Sequence, residues 1–338
     1  MFTFEHFLNL PLIWGGLIAI AVFMYVLLDG FDLGIGILFP FAPDNKTRDR
    51  LMNSVAPFWD GNETWLVLGG GGLFAAFPLA YSIVMPALYI PIILMLLCLI
   101  FRGVAFEFRF KADTSRYLWD HAFHFGSLGA AFFQGMILGG YVQGITVEGR
   151  SFAGGAFDWL TGFSILTGFA LVCGYVLLGA TWAIMKTDGH AQEWARKCAS
   201  YILIFVGLSM ALVSLWVPFL ENDLNVRWFS LPNLYYFLPL PVVTAIVFLL
   251  AARSVKKGDE VKPFLLSLGL FGLGYLGLAI SLWPWVVPFA VTLEQGAAAG
   301  TSLSILLIGA AALLPVILGY TAYSYYTFRG KAGHEVLY

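Results

Sequence analysis

Charge is what this sequence has least of. Only 11% of its 338 residues are Asp, Glu, Lys or Arg, against 60% apolar. A soluble domain carries about 25% charged residues. With a mean hydropathy of +0.83, little of this surface can face water. A formal net charge of −2 argues against nucleic acid and other strongly charged partners. Cysteine is nearly absent: Cys98, Cys173 and Cys198 show no metal-ligand spacing and read as small buried apolar residues. Missing too are a Walker motif, a nucleophile elbow and an HExxH zinc helix. The glycine run 69–72 lies inside an apolar stretch and reads as close helix packing. No polar stretch is long enough for a soluble domain. The longest, Arg102 to Asp120, has room for a short amphipathic helix.

Histidine is scarce as well. His6, His190 and His334 lie outside the apolar stretches. His121 and His124 sit at the end of one. They suit a haem, metal or proton-collecting role, or, more simply, a polar interfacial edge. Membrane haem proteins usually place His or Met ligands inside a bundle. Met95, Met136 and Met210 read more simply as packing. The chain alone is therefore expected to hold neither haem nor metal.

What is abundant is apolar length. Nine spans are expected, near 12–40, 52–78, 80–102, 121–143, 157–185, 198–219, 235–252, 262–283 and 300–327. Each approaches the roughly 20 residues needed to cross a bilayer core. They must be helices, because lipid offers backbone polar groups no other partner within one segment. The first span is too long for a signal peptide's apolar region and is expected to be retained. The run Trp283-Pro284-Trp285 to Phe289 cannot stay helical and is expected to turn along the interface. The fold class is thus all-α integral membrane, one domain over 1–338.

The few cations orient it. Lys46, Arg48 and Arg50 follow span 1, and Arg102, Arg109, Lys111 and Arg116 follow span 3. Lys186, Arg196 and Lys197 follow span 5. Arg253, Lys256, Lys257 and Lys262 follow span 7, and Arg329 and Lys331 end the chain. The other side has Arg150 and Arg227. Cytoplasmic loops carry the Lys and Arg excess, so the N-terminus is expected outside and the C-terminus in the cytoplasm.

Acids inside apolar runs are the informative residues. Asp29 and Asp32 share one face of span 1, and Asp60 and Glu63 one face of span 2. Asp32 lies eight residues before Pro40, and Asp60 eight after Met52. Each is thus expected about 12 Å from its helix's cytoplasmic end. A charged acid deep in lipid costs about 2.5–3.5 kcal/mol on insertion scales. No Lys or Arg lies deep in a span; Arg102, at the end of span 3, is the nearest counter-charge. One reading is a proton-conducting or ion-conducting cluster entered from the cytoplasm. The other is structural: Pro57 starts a helix, Asp60 is its N-terminal charge near the headgroups, and Asp29 and Asp32 bond to backbone near Gly30.

The blocks Asp29-Gly30-Phe31-Asp32-Leu33-Gly34-Ile35-Gly36, Trp59-Asp60-Gly61-Asn62-Glu63-Thr64-Trp65 and Phe74-Ala75-Ala76-Phe77-Pro78 resemble subunit II of the cytochrome bd-type quinol oxidases. So do Phe101 to Arg109, Trp283 to Pro288 and Tyr320-Thr321-Ala322-Tyr323, so the resemblance covers nearly the whole chain. It implies two four-helix bundles plus one peripheral helix in a bacterial cytoplasmic membrane. It also implies a heterodimer with subunit I, which holds haems b and d and the quinol-oxidising loop. Such a complex oxidises quinol at the outer face and reduces dioxygen to water with cytoplasmic protons. The resemblance ties Asp60 to proton delivery, with Asp29 and Asp32 as the other candidates. It leaves room for a structural quinone or lipid in this chain and a small single-helix accessory subunit beside it. Short loops at 143–157 and 221–234 point to the cyanide-insensitive branch. The rival classes are a secondary transporter with an intramembrane acidic site and a purely structural anchor.

Overall fold

The computed structural model describes residues 9–112 and 114–333; His6 and His334 lie outside the described residues. Helix α1 (Leu10–Leu38) is capped by Asn9, whose side chain accepts from the Leu12 amide at 2.9 Å. It runs into a 3₁₀ turn at Phe39–Phe41, where Pro40 cannot continue an α-helix. The next apolar stretch is not one helix. Its polar start forms α2 (Asn45–Val55), capped by Asp44, which accepts from Thr47 N at 2.7 Å. Those bonds to Thr47 hold the exposed Asp44 carboxyl below the usual range. A turn at 56–58 containing Pro57 follows, and then α3 (Trp59–Ala76). The expected span 52–78 is therefore corrected to a helix that starts at Trp59.

Beyond it lie α4 (Pro78–Arg109), α5 (Arg116–Val142), α6 (Gly162–Lys186) and α7 (Gly189–Trp216). Short α8 (Asn222–Phe229) and α9 (Asn233–Phe237) lead to α10 (Pro239–Lys257) and α11 (Lys262–Leu282). A hairpin of β1 (Val147–Glu148) and β2 (Ser151–Phe152) turns through Gly149, whose φ of 63° favours glycine. Strands β3 (Trp285–Val287) and β4 (Val291–Thr292) pair antiparallel, so the Trp283–Phe289 run does leave the helix. Then come α12 (Leu293–Gly296) and α13 (Gly300–Thr327).

Among the described residues, eight helices are long and apolar enough to cross a membrane. Helix α3 is not among them. It has 18 residues, and Asp60, Asn62, Glu63 and Thr64 fall in its first six. It lies antiparallel against α1: Asn62 meets Asp32, Gly69 faces Val22 and Gly72 faces Ile18. Its last residue, Ala76, accepts from Ala298 N at 2.9 Å at the far end. Several helices also overrun their expected ends: α7 begins nine residues before its expected start, and α4 continues seven residues past Arg102 and leaves no separate helix before α5. Ion pairing explains the overrun of α4. Arg109, fully buried, meets Asp120 at 2.5 Å and Asp49 at 2.7 Å, and Arg116 also pairs with Asp49.

Helices α1, α3, α4 and α5 pack as one group and α6, α7, α10 and α11 as another. The two groups meet where α6 packs on α1 and α5, and α13 lies outside against α1 and α3. Close backbone approach makes the junction. A Cβ on Gly34 would stand 1.9 Å from the Tyr175 carbonyl oxygen, and one on Gly179 would stand 2.4 Å from Gly34 C. Small residues at such crossings are how helices pack in lipid.

The basic connections gather at one end. Arg50 pairs with Asp188 at 3.0 Å, and Arg196 donates to the Asp259 and Gly258 carbonyls at 2.8 and 2.7 Å. The C-terminal strap crosses the same end. Lys186 donates to the carbonyls of Phe328 and Gly330, and Lys331 to Glu260 at 2.8 Å and to Thr187 O at 2.9 Å. Hydrogen bonds from Lys331 and Gln192 hold the exposed Glu260 carboxyl below its ordinary range.

Candidate functional site

Four helices place one polar cluster inside the first group. Asp29 and Asp32 sit on α1 where Gly30 and Gly34 let α6 close over them, and both are fully buried. Arg102 on α4 is equally buried. Gly126 admits it: a Cβ there would stand 2.8 Å from Arg102 N, so α5 backs tightly onto α4. The Arg102 guanidinium then faces three carboxyls. Its Nη2 lies 2.7 Å from Asp29 Oδ1 and 3.8 Å from Asp32 Oδ2, and its Nη1 lies 3.6 Å from Glu63 Oε2. Phe106, one turn on, puts its ring 5.9 Å from the guanidinium carbon.

Glu63 is the partly exposed member of the cluster, with 28% of its side chain exposed. Asp60 stands apart. It is in the first turn of α3 and exposed, beside Trp59, which stacks on Phe106 at 4.8 Å. The face expected to be shared by Asp60 and Glu63 is thus split: Asp60 is turned outward, Glu63 reaches in to Arg102, and Asn62 points inward. Asp32, paired with Asn62, lies six residues before the end of α1. Asn62 is therefore about 9 Å inside that end, and Asp60, two residues nearer it, about 6 Å. Asp60 consequently has the helix position of the structural alternative and lies about 3 Å nearer that end than Asp32.

Three polar residues of the cluster escaped the sequence reading. Asn62 Nδ2 donates to Asp32 Oδ2 at 2.7 Å and to Leu28 O at 3.1 Å. Tyr325 on α13 donates to Asn62 Oδ1 at 3.0 Å. Tyr25, fully buried, lies against Asp29 one turn earlier on α1. Only Tyr25 carried a signal, its i−4 spacing from an intramembrane acid.

His124 turns Nδ1 to the Ile37 carbonyl at 3.0 Å, and its ring packs beside Phe41 and Phe125. Met95 and Met136 are buried among apolar side chains. Among the described residues no group of three His, Cys, Asp or Glu could hold a metal ion. A cleft of about 440 Å³ lies at the end opposite the basic residues, lined by Arg227, Asn233, Phe237 and Trp283. Arg227 there donates to the Ile280 carbonyl at 2.8 Å, capping the end of α11.

The family described as cytochrome bd terminal oxidase subunit II matches residues 10–328. The chain belongs to this family. It is 32% identical to the cytochrome bd ubiquinol oxidase subunit 2 of Bacillus subtilis (strain 168) over 96% of this chain and 97% of the relative. Identity is 29% to the cytochrome bd-I ubiquinol oxidase subunit 2 of Escherichia coli (strain K12), over 96% of both. In fold it is similar to a chain of the bd oxidase from Geobacillus thermodenitrificans, with a TM-score of 0.78 and 17% identity. That match covers 95% of this chain and 99% of the other. As a bd oxidase subunit II, the chain is one part of an oxidoreductase complex and implies a subunit I beside it. It is a multi-pass protein of the bacterial cytoplasmic membrane.

Proposed function

We propose that this chain is the haem-free subunit of a quinol:dioxygen oxidoreductase. It braces the haem-bearing subunit I and leads cytoplasmic protons towards that subunit's oxygen site. One observation carries the reading: a single guanidinium, Arg102, stands among three carboxyls, Asp29, Asp32 and Glu63. One cation balances one carboxylate, so neutrality at a dehydrated site is reached when the other two acids carry protons. Such a cluster is a store of exchangeable protons, and the partly exposed Glu63 is its route of exchange. Asp60, exposed and about 3 Å nearer the helix end than Asp32, is the group best placed to face a second subunit.

Orientation follows from charge. The end where Arg48, Arg50, Arg109, Arg196 and Lys331 gather is taken as cytoplasmic. With α3 counted as a crossing, the chain passes the bilayer nine times and begins outside. At 18 residues α3 is about 27 Å long, close to the roughly 30 Å hydrocarbon core.

The test is Asp60→Asn in the assembled oxidase. Loss of turnover with haem content retained supports the relay. Full turnover with normal proton uptake overturns the role of Asp60. Loss of haem and of assembly assigns the residue to structure instead.

A further inference from the structure

Asn62 is a neutral side chain bonded to Asp32, and its amide makes three contacts with fixed polarity. On one side stand two acceptors without protons of their own, Asp32 Oδ2 and the Leu28 carbonyl, at 2.7 and 3.1 Å. On the other stands a hydroxyl, Tyr325 Oη, 3.0 Å from Oδ1. Flipping the amide would set its oxygen against both acceptors, so only one orientation satisfies all partners. Tyr325 itself is held rigidly. Its ring stacks on Phe58 at 4.3 Å and meets Phe31 and Trp182 edge-on, each at 6.4 Å. The last helix thus reaches across to set an amide on α3, which in turn sets a carboxyl on α1.

The effect on Asp32 is asymmetric. Its Oδ2 is engaged by Asn62, whereas its buried Oδ1 has no hydrogen-bond partner among the described residues. We infer that Tyr325 and Asn62 are positioning residues of the acid cluster, which hold Asp32 so that Oδ1 is the atom that takes up and releases the proton. An amide is a poor proton carrier, so Asn62 orients and does not relay. This inference rests on the proton-delivery reading and adds the residues that make it directional.

The test uses the whole oxidase with Tyr325→Phe, which keeps the ring stack and removes one hydroxyl. Asp32 is identified in redox-difference infrared spectra by the carboxyl band that Asp32→Asn abolishes. Tyr325→Phe is expected to retain haem content, displace or broaden that band, and lower turnover roughly two- to tenfold, the worth of one hydrogen bond. Asn62→Leu is expected to displace the band further. Tyr326→Phe, an exposed neighbour, should leave band and turnover unchanged. An unaltered Asp32 band in Tyr325→Phe overturns the positioning role, whether or not Asn62→Leu assembles. If Asp32→Asn keeps full turnover and proton uptake, delivery through Asp32 fails, and the band alone then decides whether Tyr325 positions it.

Discussion

Arg102 Nη2 and Asp29 Oδ1 lie 2.7 Å apart with neither side chain exposed. Desolvating such a pair is expensive, and removing one partner is worse, because the other is left buried and charged. Arg102→Met is therefore expected to destabilise the subunit by about 3–5 kcal/mol. The measurement is the yield and thermal midpoint of the assembled oxidase. Arg102→Lys keeps the charge but loses the fork that spans Asp29 and Glu63, so it should fall between wild type and Arg102→Met.

Asp29 and Asp60 should separate by phenotype. Asp29 is buried against Arg102, so Asp29→Asn is expected to lower both thermal stability and turnover. Asp60 is exposed and outside the ion cluster, so Asp60→Asn should lower turnover with little change in melting. Parallel melting curves and oxygen-consumption rates on one set of preparations check this. Equal melting losses in both variants would contradict the geometry.

The crossing of α1 and α6 leaves no space for a side chain at Gly34. Gly34→Ala would set a methyl 1.9 Å from the Tyr175 carbonyl oxygen, so the helices must separate and the acids lose their cover. Loss of assembled complex is expected, measured by haem recovered with the purified protein. Gly274→Ala on α11 meets nothing within 4 Å. It should change stability by no more than about 1 kcal/mol.

Acid should loosen the C-terminal strap. Glu260 has a lowered carboxyl pKa because of Lys331 and Gln192. Its contribution is therefore present above the unfolded-state value of about 4.3 and is lost as pH falls through the lower folded-state value. Limited proteolysis of the tail should be slow at neutral pH and accelerate below about pH 4. In Glu260→Gln that acceleration should be blunted, with faster cleavage already at neutral pH.

Much of this architecture was legible because lipid imposes simple rules on sequence. Long apolar runs marked the helices. Asp29, Asp32 and Glu63 stood out because intramembrane acids are rare. What escaped has physical causes. The sequence reading runs one span through Pro57 and keeps a helix start there as the structural alternative, and the backbone turns at 56–58 before α3 begins at Trp59. Arg102 was set at a helix end because Glu107, Arg109 and Lys111 look like a loop. Only their pairing, Arg109 with Asp49 and Asp120 above all, lets α4 continue and carries Arg102 inside. Asn62 and Tyr325 were invisible for another reason. Each is an ordinary residue type in a membrane helix, and their bond joins positions 263 residues apart.

That separation bears on how the protein is made. The ribosome releases α1, α3 and α4 before α13, and these bring the acids and Arg102 together, whereas the hydroxyl that orients Asn62 follows 263 residues later. Nascent chains that stop before α13 would insert most of their helices and still lack the final latch on Asp32. The bond that orients Asn62 can therefore form only after α13 has followed α3 out of the ribosome.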